Sequence, residues 1–166
     1  MTHDNSAKLA TLAAQEDELR FADFTHDDAI AVGLRVIELA RERSQTISTS
    51  VWLGEQLVFQ ASLAGTTADN DSWMNRKVAT VRRFDKASLL VAEQMTAYGI
   101  DDPATARMVD PMTYAFNGGA FPIRVGSRQV GVAVASGVND DVEHDLVVEA
   151  LRAHLASTSP GEGAVA

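Results

Sequence analysis

The sequence predicts an α/β (α+β) domain in which a five-stranded antiparallel sheet is flanked by helices. Three observations carry that expectation. Short strand-like runs are joined by tight turns at Gly54-Glu55, Asn117-Gly118-Gly119 and Gly126-Ser127, and strands joined so closely must run antiparallel. Helix-period apolar patterns precede, separate and follow these runs. The chain has 166 residues with no internal linker or repeat, which fits one domain with a real core.

In order along the chain, residues 1–6 read as a flexible N-terminus, 7–156 as the domain and 157–166 as a flexible tail, because both ends are small, polar or rich in Gly and Pro. The first helix is expected over 8–20, with Leu9, Leu12 and Leu19 on one side. Thr25 followed by Asp28 has the spacing of an N-cap and capping box, and it opens a second helix to about Arg43 with Ile30, Leu34 and Ile37 facing a core. Residues 47–53 and 56–62 are strands around Gly54-Glu55, a Gly-X loop suited to a type II′ hairpin. An Asp71/Ser72 cap begins a helix to about Phe84, and another runs from about Ser88 until Gly99 closes it. Residues 113–136 form a three-strand meander, and 139–155 a last helix. In the final strand of the meander Val130, Val132 and Val134 face one way, and Gly131, Ala133 and Ala135 the other. The small face leaves room for close helix packing. The natural closure is an α/β sandwich of the profilin or PAS type.

Composition limits the function. A net charge of −9 repels nucleic acid and anionic membranes at long range, so neither is an expected partner. With no cysteine there is no thiolate nucleophile and no Cys-ligated metal site. The N-terminal residues lack the basic and apolar regions of a signal peptide, and no run has the length to span a bilayer. A cytoplasmic protein is the expectation.

Two segments resemble one family. The first is Asp69-Asn70-Asp71-Ser72-Trp73-Met74-Asn75-Arg76-Lys77, continuing to Arg82-Arg83-Phe84. The second runs from Gly118-Gly119-Ala120-Phe121-Pro122-Ile123 through Gly131 to Ser136-Gly137, with His144-Asp145 in the last helix. Together they resemble the HbpS-like (GlcG-like) haem-degrading-domain superfamily, in its branch of uncharacterised conserved proteins. The resemblance implies an antiparallel sheet between helices and a symmetric homo-oligomer, with haem binding or degradation among some relatives.

The residues themselves offer two candidate ligand groups. On the 72–84 helix, Trp73, Met74, Val78, Val81 and Phe84 share a face with Lys77 in its middle, while Arg76 and Arg83 flank it. Two guanidinium forks and an ammonium beside an aromatic shelf would suit a flat anionic ligand such as a tetrapyrrole with propionates. The structural alternative has Lys77 snorkelling and the arginines paired to carboxylates. His144, near the start of the last helix, is the candidate haem axial ligand. The helix dipole and burial would both keep its imidazole neutral, although a hydrogen-bonded core histidine is the plainer account. Met95, Met108, Met112, Tyr98 and Tyr114 are conceivable iron ligands, with core filling the simpler role for the methionines. His3 lies in the tail, His26 follows a cap and His154 sits in a last turn. Gly-x-Ser-x-Gly is absent around Ser136, so no hydrolase triad is supported. Three functions remain open: an oligomeric module for a small anionic ligand, haem foremost, a non-enzymatic homo-oligomeric scaffold, and an enzyme for an unrelated small substrate.

Overall fold

A computed structural model describes residues 2–103, 105–106 and 108–158, with side chains from Asn5 onward. The predicted tail from 159 and the His3 side chain lie outside the described residues. The elements are α1 (Thr2–Glu18), β1 (Arg20–Phe21), α2 (His26–Glu42), β2 (Ser48–Leu53), β3 (Gln56–Ser62), α3 (Ala68–Phe84), α4 (Ser88–Ala97), β4 (Ala120–Val125), β5 (Arg128–Ser136) and α5 (Asp140–Thr158).

The five strands form one sheet in the order β1-β4-β5-β2-β3. It is mixed, which corrects the expected all-antiparallel sheet. β2 pairs antiparallel with β3 and β5, and β4 with β5, but β1 runs parallel to β4 through Arg20 opposite Arg124 and Phe21 opposite Val125. The fifth strand therefore comes from the chain between α1 and α2, not from 113–116. Residues 113–119 form no strand, so the meander reduces to the β4–β5 hairpin. At the β2–β3 hairpin Gly54 has φ +55 while Glu55 is not left-handed, the pattern a type II′ turn requires.

Helices cover both faces. α2 and α5 lie on one side, where Val36, Leu39, Leu146 and Leu151 meet Val51, Phe121, Ala133 and Ala135. α3 covers the other side, where Met74, Val78 and Val81 meet Ala120, Val132 and Val134. The division of β5 into a large and a small face thus holds from 131 onward. A bulge opposite Ile123/Arg124 breaks the phase before that point, and Val130 packs with the α2/α5 layer instead.

The cap at Thr25 and Asp28 forms as a reciprocal box. The core face of α2 differs from the expected one: Ile30 and Leu34 are 40% and 49% exposed, and Ala29, Val32, Gly33 and Val36 turn inward. Small residues are needed there because Phe59 of β3 lies so close that a Cβ on Gly33 would sit 2.1 Å from its ring. α3 begins earlier than Asp71, at a Thr67/Asn70 capping box. It ends at Asp85, a non-glycine residue in the left-handed region at φ 52 whose carboxylate accepts from Arg124 and Gln129.

Candidate functional site

α3 carries polar side chains on two sides, and each side forms the wall of a cavity. The first cavity, about 280 Å³, lies where the starts of α3 and α5 converge beside Ser136-Gly137-Val138. Lys77 and Glu143 line it, and both side chains are only 3% exposed. Glu143 Oε2 accepts from Lys77 Nζ, and its Oε1 accepts from the Gly137 and Val138 amides at 2.7 and 2.9 Å. Lys77 Nζ also donates to the Ala135 carbonyl at 3.3 Å. Burial pushes the Glu143 carboxyl above its ordinary range, and Lys77 together with the two amides opposes that rise without cancelling it.

Backbone placement brings the pair together. A Cβ on Gly118 would stand 2.1 Å from the Asp140 carbonyl, and one on Gly119 would stand 3.0 Å from Glu143. This glycine pair therefore lets the 117–119 segment close against the first turn of α5. It is not the hairpin turn read from the sequence, and it leads directly into β4. Asn117 then donates to the Asp140 carboxylate at 3.1 Å.

The second cavity, about 300 Å³, lies between α3 and the described residues of 101–103 and 109–117. The latter stretch is fastened to α3 by Ala115 N donating to Arg76 O at 3.3 Å and Thr80 Oγ1 donating to Ala115 O at 2.8 Å. Arg76 stacks on Trp73 at 3.9 Å from the ring centre, and it donates to the Ser72 and Pro111 carbonyls. Arg83 lies over Tyr114 at 4.9 Å and Phe84 at 5.4 Å. Phe84 meets Phe116 edge-on. Among the described residues neither arginine has a carboxylate partner.

The five expected site residues are thus divided. Trp73 and Arg76 line the groove together, with Arg83 beside its aromatic wall, while Lys77 turns into the other cavity. His144 joins neither. It is 1% exposed, its Nε2 meets Gln15 Oε1 of α1 at 2.7 Å, and its ring lies 5.8 Å from that of Phe121. Its Nδ1 is buried with no partner among the described residues. Burial lowers its pKa to about 4 and keeps the imidazole neutral. Met108 and Met112 are 44% and 79% exposed and fill no core, contrary to expectation. Of the two tyrosines, Tyr114 lines the groove and Tyr98 is 80% exposed.

Sequence reasoning missed Glu143. The signal was present: Glu143 precedes Val147 and Leu151 at helical spacing, and Lys77 sits between Met74 and Val81. Two opposite charges, each within the apolar stripe of its own helix, are a reason to look for a buried pair.

Fold and cavities together define a class, an α/β sandwich whose mixed sheet separates helical layers and whose polar cleft opens at two helix starts. The chain belongs to the family described as haem degrading protein HbpS-like, whose model matches residues 24–152. A UPF0303 protein of Streptomyces avermitilis is 44% identical over 144 residues, covering 86% of this chain and 88% of the relative. The crystal structure of Ybr137w protein superposes with a TM-score of 0.83 at 25% identity, covering 92% of this chain and 90% of that one. A structure described as a PduOC:haem complex superposes with a TM-score of 0.66 at 11% identity, covering 79% and 94%; at that identity the likeness is one of fold.

Proposed function

We propose that this protein is a binding module for a flat anionic ligand, held in the groove between α3 and residues 101–103 and 109–117, with haem as the ligand. The observation that carries this reading is that Arg76 and Arg83 are stacked on aromatic rings and have no carboxylate among the described residues, in a chain of net charge −9. Cations without a counter-ion among the described residues, in so acidic a protein, are suited to ligand anions. Family membership and the haem complex of a protein with this fold support the choice of ligand.

The residues fit the group in part. The guanidinium forks suit propionates, and Trp73, Tyr114 and Phe116 offer apolar edges to the ring, while Asp101 and Asp102 on the same lining oppose an anion at that end. A cavity of about 300 Å³ stands at the small end for ligand pockets, so a tetrapyrrole would insert one edge and leave the rest outside. Tyr114 supplies an oxygen donor within the groove. The unpartnered Nδ1 of neutral His144 is chemically apt for iron, but Gln15 and α1 cover the ring, and an axial role for it requires α1 to move. Bound haem would bring iron and its oxygen chemistry, while this chain would bind and orient the ring.

Hemin titration followed by the Soret band tests the reading. Saturation at one per chain, weakened at least tenfold by Arg76→Ala with Arg83→Ala, is expected; an unsaturable signal indifferent to both removes haem. His144→Ala in the same titration decides whether that ring takes part.

The homo-oligomeric scaffold is the second reading, and exposed apolar side chains favour it. Ile30 and Leu34 of α2 and Leu57 of edge strand β3 are 40–49% exposed. Sedimentation of the protein and of Leu34→Asp is its test, with dissociation of an oligomer by the substitution as the expected result.

A further inference from the structure

The cavity holding Lys77 and Glu143 is not used by the function proposed above, and its chemistry is of another kind. A lysine ammonium has three N–H donors. Among the described residues Lys77 finds two acceptors, the Ala135 carbonyl and Glu143. One N–H is thus left over on a side chain that is 3% exposed and lines a cavity open to solvent. Ser136 also lines the cavity. Its hydroxyl oxygen accepts from Asn70 Nδ2 at 3.3 Å, and its proton has no acceptor among the described residues. Two donors therefore await an oxygen atom. The rim carries Asp69 and Asp140, which disfavour an anion and admit a neutral molecule.

We infer that this cavity is a second site, which takes a small uncharged aldehyde or ketone and places its carbonyl where the Lys77 amine can add to it. Burial favours the neutral amine that Schiff-base lysines use, and Glu143 is the acceptor placed to take the proton that must leave before that amine can add. In the step, the ammonium passes a proton to the Glu143 carboxylate, and the freed amine lone pair forms a bond to the carbonyl carbon. The C=O π pair moves to oxygen, which takes the proton back from Glu143. Loss of that oxygen as water, with a second proton from nitrogen, leaves the protonated imine. The net change is an ammonium and a carbonyl giving an iminium and water, with charge conserved. Glu143 is placed for the relay because the Gly137 and Val138 amides hold one oxygen and leave the other against Lys77.

The three lysines of the chain, Lys8, Lys77 and Lys86, provide an internal control. Glycolaldehyde, a small neutral aldehyde, is added to the whole protein with cyanoborohydride, which traps imines, and labelled positions are mapped by mass spectrometry. Lys77 is expected to label at least tenfold faster than Lys8, which is 37% exposed and ion-paired, and faster than anionic glyoxylate labels it. Labelling of Lys8 and Lys86 with Lys77 protected overturns the inference. Glu143→Gln is expected to slow Lys77 labelling at least tenfold. Should that variant fail to fold, Ser136→Ala is expected to slow it severalfold, and an unchanged rate in a folded variant overturns the role of the residue replaced. Hemin binding is read on the unmodified protein, so either site can fail without the other.

Discussion

Arg76 and Lys77 are adjacent in sequence, yet they lie in opposite environments. Arg76 remains at the surface, stacked on Trp73 and bonded to main-chain carbonyls. Lys77 is drawn under the sheet into a pair with Glu143. The difference follows from a turn of about 100° per residue, which puts one side chain on the groove and the next over β5. It teaches that a cluster of basic residues on a helix is not one electrostatic unit. The buried charge must have its own counter-ion, because desolvation without one is prohibitive, whereas Arg76 and Arg83, nearer the solvent, are held by ring stacking without one.

Breaking the buried side should produce the largest effect. Glu143→Ala leaves the Lys77 ammonium uncompensated and should cost about 3–5 kcal/mol in denaturant unfolding, while the double change Lys77→Met with Glu143→Leu should recover most of it. If the single change costs under about 1 kcal/mol, the pair is not a desolvated one.

His144 sharpens the comparison by pH. Its pKa is about 4 in the fold against an ordinary 6.5, so the unfolded chain takes the proton first as pH falls. The His144 contribution to stability should therefore decline from pH 6.5 down to about 4, by about 3 kcal/mol in all, and level off below, where carboxylates with lowered pKa such as Asp28 continue the loss. His144→Gln should flatten that part of the profile, as read from unfolding midpoints across the range.

Gly118→Ala tests the backbone closure beside the buried pair. Its Cβ would collide with the Asp140 carbonyl, and a loss of about 1–3 kcal/mol is expected in thermal unfolding. The exposed side should respond least. Arg76→Ala or Arg83→Ala should change stability by about 0.5–1 kcal/mol, the value of an exposed cation–π contact, and a larger loss would make these residues structural.

The features legible in the sequence were those with local signals. The Thr25 and Asp28 box, the Gly54 turn and the Gly99 stop rest on contacts within a few residues, and each formed. β1 was not legible, because two residues carry no alternation to detect, and its parallel pairing depends on where β4 arrives from far along the chain. The α2 face was misread because Ile30 and Leu34 have the more apolar side chains, while a close approach of Phe59 admits only small ones. For the candidate site, helical spacing put Trp73 beside Arg76, which the structure keeps together, but it gave no sign of the Tyr114 and Phe116 wall or of Lys77 turning away into another cavity. The partner of Lys77 was not foreseen, since Glu143 lies 66 residues away and only the folded sheet brings it near.

Trp73 lines both cavities, so one indole is a party wall between two rooms. Its other contacts, Asp69 through Nε1 and Arg76 across the ring, belong one to each side. A guest that tilts this ring from the groove alters the chamber behind it, and thermodynamic linkage makes any such influence equal in both directions. The only other tryptophan is Trp52 of β2, so the fluorescence of a Trp52→Phe protein would report the occupancy of either room through the wall they share.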